Sequence, residues 1–249
     1  MKSDTYLKMG TLLFGISILA MGLIHLITGN FPNSFIPLTR SFPGKSVLAD
    51  ISGVALVIAG SMILLRRFAK TGAIIAASIF VIILALVHIP LLATNIYNGG
   101  EWTQVFEHLS ILSGLLILLG FARVGQYIFA AGLCVFGIVH LIYEQYIISW
   151  IPVWLPSPVF WTYLVPVAFF CAFVSLATRK MVRLSSLLLA LMFFIFAIAV
   201  NLPRAIHIKL EVEWTGIFTA LSMSGISLMI AAKNSLPSYS SPEASRPRK

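Results

Sequence analysis

Eight apolar stretches, at 9–29, 46–65, 72–95, 105–122, 125–145, 158–177, 184–204 and 214–232, constrain this chain more than any motif in it. Each approaches the roughly 20 residues a helix needs to cross a bilayer's hydrocarbon layer. The runs are continuously apolar, whereas barrel strands alternate apolar and polar residues over about 10 positions. Only helices and closed barrels satisfy their backbone polar groups in lipid. The chain is therefore expected to be an all-α membrane protein with eight transmembrane helices. Composition agrees: 59% of residues are hydrophobic and 10% charged, with a mean hydropathy of +0.98, against about a quarter charged in soluble domains.

The net charge of +9 does not point to nucleic acid, because the basic residues are scattered over short loops and termini instead of forming one face. Their distribution reports topology. With the N-terminus in the cytoplasm, thirteen Lys and Arg fall on the cytoplasmic side, and only Arg40, Lys45, Arg204 and Lys209 on the other. This positive-inside bias places both termini in the cytoplasm of a multi-pass cell-membrane protein whose first partner is the lipid bilayer. The first run follows Lys2 and Lys8 but is too long for a signal peptide and lacks a small-residue cleavage site, so it is expected to stay as helix 1. Cys134 and Cys171 have no C-x-x-C spacing and read as buried small hydrophobes.

The chain repeats itself. "MGLIHLI" at 21–27 is echoed by "FGIVHLI" at 136–142, "LVHIP" at 86–90 by "AVNLP" at 199–203, and "EWTQVF" at 101–106 by "EWTGIF" at 213–218. The offsets stay between 112 and 115 residues, which defines two tandem four-helix units, 1–123 and 124–232, followed by a disordered cytoplasmic tail at 233–249. Four spans per unit give both units the same orientation, unlike the inverted repeats of many transporters. Short connections predict that each unit packs as a four-helix bundle. Gly15, Gly22 and Gly29 recur every seven residues and predict one close-packing face on helix 1. Residues 30–45 are too polar and Pro-rich to span and are expected at the outer interface, as is the aromatic segment 146–157.

A third helix ending "LVHIPLL", followed by "EWTQVFEHLSILSGLLILLG", resembles the DoxX-like family of small four-helix membrane proteins, here written twice. The first unit carries the pattern through Gly100, Glu101, Trp102, Glu107 and Gly114. The second replaces His88, Glu107 and His108 with Asn201, Thr219 and Ala220. The resemblance implies a four-helix unit linked to redox partners, since the family takes its name from a membrane subunit associated with thiosulfate:quinone oxidoreductase. Distant animal relatives resemble receptor-assembly chaperones.

On the predicted topology all five histidines and six of the eight acidic residues fall on the outer side. Ionisable groups inside membrane helices usually face a bundle interior or a water-filled cavity. His25, His88, Glu107, His108, His140 and Glu144 are accordingly the candidate polar site. His140 and Glu144, four apart, are expected to share a helix face, as are Glu107 and Ser110. Pro90 lacks an N–H and frees the Leu86 carbonyl, so His88 should lie in a loosened turn. A hydrogen bond across helices is the simplest role for His25 and His140. Haem is disfavoured because no C-x-x-C-H occurs, and zinc would need three or four convergent ligands, so no metal is assigned. Trp102 and Trp214 read as interfacial anchors.

No P-loop, G-x-G-x-x-G, G-x-S-x-G or H-E-x-x-H occurs. Three functions stay open: a redox-associated subunit that binds a quinone or lipid-like molecule at its outer mouth, a non-catalytic assembly or envelope-maintenance factor, and a small-solute permease.

Overall fold

The computed structural model describes residues 2–31, 44–152 and 154–234. Every regular element in them is helical: α1 (Lys2–Thr28), α2 (Lys45–Leu64), α3 (Ala69–Ile83), α4 (Ile89–Thr94), α5 (Gly99–Leu119), α6 (Ala122–Ile142), α7 (Glu144–Trp150), α8 (Pro158–Thr178), α9 (Val182–Ile195), α10 (Leu202–Ile208) and α11 (Glu211–Lys233). π-helical turns at Leu84–His88 and Phe196–Asn201 join α3 to α4 and α9 to α10 into single spans. Eight helices among the described residues are then long and apolar enough to cross a membrane, and the chain is a multi-pass membrane protein. Most of the expected interfacial segment 30–45 and nearly all of the expected tail 233–249 lie outside the described residues.

Helix ends follow local chemistry. α5 starts six residues before its apolar run, because the Asn98 side chain accepts the Gly100 N–H at 3.0 Å and caps it. It stops at Gly120, whose φ of 105° is open to a residue without Cβ. α1 ends in the same way at Gly29, with φ 58° and nothing within 4 Å of a Cβ there. Gly29 is thus a helix stop and not part of the expected packing face. Gly22 does serve that face: a Cβ on it would come within 2.7 Å of the Gly53 carbonyl oxygen in α2.

Spans adjacent in sequence pack side by side, and α11 returns to close the ring against α1, the most extensive helix pair of all. This corrects the expectation that each unit closes on itself. The closing contacts are exchanged, so that α5 packs on α6 and α11 on α1, while α5 meets α11 near the middle of the ring. Small residues allow the exchange. Gly10 and Gly225 bring the α1 and α11 backbones together, and a Cβ on either would lie 2.7 Å from the other's carbonyl oxygen. One core, including Phe14, Phe80, Leu115, Phe129, Phe193 and Ile226, runs unbroken through both units.

The two units start on one face. Ser3 Oγ donates to the Ala232 carbonyl at 2.8 Å, and Asn234 Nδ2 donates to Gln126 Oε1 at 2.9 Å. The beginnings of α1 and α6 therefore lie beside the end of α11. On the opposite face, Gly99 leaves room for the Tyr143 ring, whose hydroxyl donates to the Tyr97 carbonyl.

Gly225→Val is expected to cost about 1–3 kcal/mol, the usual penalty for overpacking, since the obstructing atoms are backbone. Gly216→Ala, whose Cβ would have nothing nearer than 3.9 Å, should leave stability unchanged. Thermal unfolding of both variants in detergent tests the contrast.

Candidate functional site

Proline shapes the site in both units. Pro90 and Pro203 lack the N–H that would continue the helical ladder. The chain widens the turn before each of them, so that the Ile89 N–H reaches the Leu84 carbonyl and the Leu202 N–H reaches the Ala197 carbonyl. Such π-turns are uncommon and concentrate at functional sites. They direct His88 and Asn201 onto the last helix of their own unit: His88 meets His108, and Asn201 Nδ2 donates to the Gly216 carbonyl at 3.1 Å.

In the first unit α5 presents Glu101, Gln104 and His108. Their spacing of three and then four residues lines them along one helix face. The His88 and His108 rings lie 4.3 Å apart between centroids, with their planes at 47°. His88 Nδ1 is 3.8 Å from Glu101 Oε2, a charge contact longer than a hydrogen bond. His108 Nδ1 donates to the Gln104 carbonyl at 2.8 Å. A carbonyl only accepts, so the proton sits on Nδ1 and Nε2 is the acceptor nitrogen of the neutral ring. Phe80 packs edge-on against His108 at 5.5 Å. Both imidazoles are fully enclosed, at 0% and 2% exposure.

Glu101 Oε2 and Gln104 Oε1 are also buried, and neither has a hydrogen-bond partner among the described residues. Buried polar atoms are satisfied in more than nine cases of ten. Two such oxygens one helical turn apart, on the stripe that carries His108, mark a place able to accept hydrogen bonds from a polar group.

The second unit shows the same geometry closed. Arg204, which follows Pro203, forks onto Glu213 with bonds of 2.8 and 3.1 Å and lies 4.0 Å above the Trp150 ring. In the first unit the residue after Pro90 is Leu91, so among the described residues Glu101 has no arginine partner. Gly216 and Ala220 stand where the first unit has Gln104 and His108. The outer part of the third span packs more extensively on α11 than its counterpart packs on α5, with Ala220 buried against Ala197 and Ala205.

The other predicted residues do not join the cluster. His25 Nδ1 is 3.0 Å from Ser52 Oγ, with Phe31 against its ring. His140 Nδ1 donates to the Phe136 carbonyl of its own helix at 2.8 Å and packs against Phe169. The expected His140–Glu144 pair is not formed, because α6 ends at Ile142 and Glu144 opens α7, where it accepts from the Tyr163 hydroxyl. Glu107 is half-buried, lies about 100° around α5 from His108, and makes no hydrogen bond or ion pair among the described residues. Nor does it share a site with Ser110, whose Oγ faces Gly132 of α6. Trp102 donates to the Ile96 carbonyl at 2.8 Å and Trp214 is partly exposed. Among the described residues no group of three or more His, Cys, Asp or Glu is arranged to hold a metal ion.

The apolar run that begins at 105 leaves both Glu101 and Gln104 outside the helix. The three-then-four spacing of 101, 104 and 108, read with the helix started at Asn98, was the signal that pointed to both. No family model, curated protein or solved structure matches this chain.

Arg204→Ala should destabilise the protein by about 3 kcal/mol, because it strands a buried carboxylate. Glu101→Gln should cost far less, since Glu101 has no forked partner to lose. Paired thermal melts of the two variants measure the difference.

Proposed function

We propose that this chain is a DoxX-like, redox-associated subunit of the cell membrane. In this reading it is built as two parallel tandem units with both termini cytoplasmic, and its first unit binds a quinone or lipid-like small molecule on the extracytoplasmic side. The common face of the two unit starts supports the parallel arrangement. The basic residues Arg66, Arg67, Lys70, Arg179, Lys180 and Lys233 stand at the helix ends of that face, which supports its being cytoplasmic.

The observation that carries the functional reading is the contrast between the two carboxylates. Glu213 is neutralised by an arginine that never loses its proton. Glu101 faces His88, a base that can carry or give up a proton, with His108 directly behind it. A permanent ion pair in one unit is thus a protonatable one in the other. Reduction of a quinone takes up two electrons and two protons; a docked partner would supply the electrons, and the two imidazoles can relay the protons. The unfilled acceptors Glu101 Oε2 and Gln104 Oε1 suit the hydroxyl groups of the resulting hydroquinone.

A non-catalytic assembly role is the second reading, favoured by the complete burial of both imidazoles, which makes them wedges between α5 and the third span. The permease reading has no comparable support, since the cluster lies near one face only.

Solvent extraction of the purified protein separates these readings. The first expects a bound quinone that is lost on His88→Ala. It is lost equally on Leu91→Arg, which supplies Glu101 with the second unit's arginine while keeping the fold, as judged by an unchanged or raised melting temperature. Quinone-free extracts from the wild type, with both variants merely less abundant, would leave the assembly reading.

A further inference from the structure

A groove of about 180 Å³ opens at the face that carries the unit starts, lined by Leu7, Thr11, Arg66, Ala69, Ile117, Leu118 and Lys233. Its floor is apolar and its rim holds two cations. It lies between units: Leu7 and Thr11 come from α1, Ile117 and Leu118 from α5, Ala69 from the start of α3, and Lys233 from the end of α11. Arg66 follows α2 in a left-handed turn with φ 56°. Arg179 repeats that turn at the same place in the second unit with φ 60°, so the turn itself is architectural. The second cation differs: the residue matching Lys233 in the first unit is Phe121, just past the end of α5.

Among the described residues Arg66 and Lys233 form no ion pair within 4.0 Å; Asp4 holds Lys8 at 2.7 Å and feels the Arg66 charge only at longer range. Both stand at helix ends, where the cytoplasmic reading of this face would put a bilayer's phosphates, and the apolar Leu7, Ile117 and Leu118 line the same groove. A free anion would use the rim and leave the apolar floor wet. A hydrocarbon chain alone would leave two cations over a dry groove.

We propose that this groove binds one anionic phospholipid, its phosphate between Arg66 and Lys233 and the first part of an acyl chain against Leu7, Ile117 and Leu118. The lipid joins α1, α5 and α11 where the two units meet. This site is independent of the His88–His108 cluster.

The test uses the full chain in detergent, titrated with dioctanoyl phosphatidylglycerol, dioctanoyl phosphatidylcholine or inorganic phosphate, with the unfolding midpoint followed by circular dichroism. The anionic lipid should raise the midpoint, and the other two should not. Basic residues at a membrane surface each attract anionic lipid by about the same modest amount. Arg66→Ala with Lys233→Ala should therefore weaken the response about thirtyfold, equivalent to about 2 kcal/mol at 1.4 kcal/mol per tenfold. Arg67→Ala with Lys70→Ala removes the same charge outside the groove and should leave the response intact. Leu118→Trp fills the floor, keeps both cations and should also abolish the response. Equal stabilisation by phosphatidylcholine, equal stabilisation by inorganic phosphate, no response in the wild type, or equal losses in the two charge variants would each overturn the proposal.

Discussion

A peptide group without a hydrogen-bond partner costs several kcal/mol in hydrocarbon, and a proline in a membrane span forces that shortage on the helix around it. Both units of this chain carry such a proline at the same place, Pro90 and Pro203, and both answer it by widening the preceding turn. The widened turn keeps the backbone bonded. It also rotates one side chain, His88 or Asn201, out of the regular helical order and onto the last helix of the unit. The polar contacts at that end of the bundle begin from this displacement.

From a shared frame the two units then part in chemistry. Asn201 meets a backbone carbonyl, Arg204 meets Glu213, and every charge in the second unit's pair has a fixed opposite. In the first unit Leu91 takes the arginine's place and His88 faces Glu101 at 3.8 Å, with the tilted His108 ring beyond it. The frame is therefore an internal control. What the second copy retains, the π-turn, the proline and the Glu-Trp-Thr approach, is architecture; what only the first copy has requires a separate reason.

Much of the fold was legible because apolar runs and a repeat offset are properties of single segments. The eight spans, the repeat and the unusual turn at Pro90 could all be read without knowing which helix touches which. The exchange of closing helices could not, because Gly10 and Gly225 lie 215 positions apart and nothing local announces their contact. The site was half legible. His88 and His108 stood out as polar residues in apolar runs, but Glu101 was hidden by starting the helix at its first apolar residue instead of at its Asn98 cap. The expected His140–Glu144 pair failed for the converse reason: spacing is meaningful only within one helix, and α6 ends between them.

The difference in packing between the units argues against reading the first unit as a mere relic. The outer part of the third span packs more extensively on α11 than its counterpart does on α5, and α11 is the most buried of the eight spans among the described residues. In the first unit Gln104 and His108 take the places of Gly216 and Ala220, and Glu101 Oε2 and Gln104 Oε1 are buried with no hydrogen-bond partner among the described residues. Each unsatisfied group costs about 1–3 kcal/mol, so the first unit is the less stable solution to a problem the same chain also solves better. Chains keep such solutions where function needs a destabilised site. An assembly factor would need only a surface, and the second unit's packing would serve it equally well. A site that must accept and release a proton or a ligand needs the unfilled valences that the first unit retains.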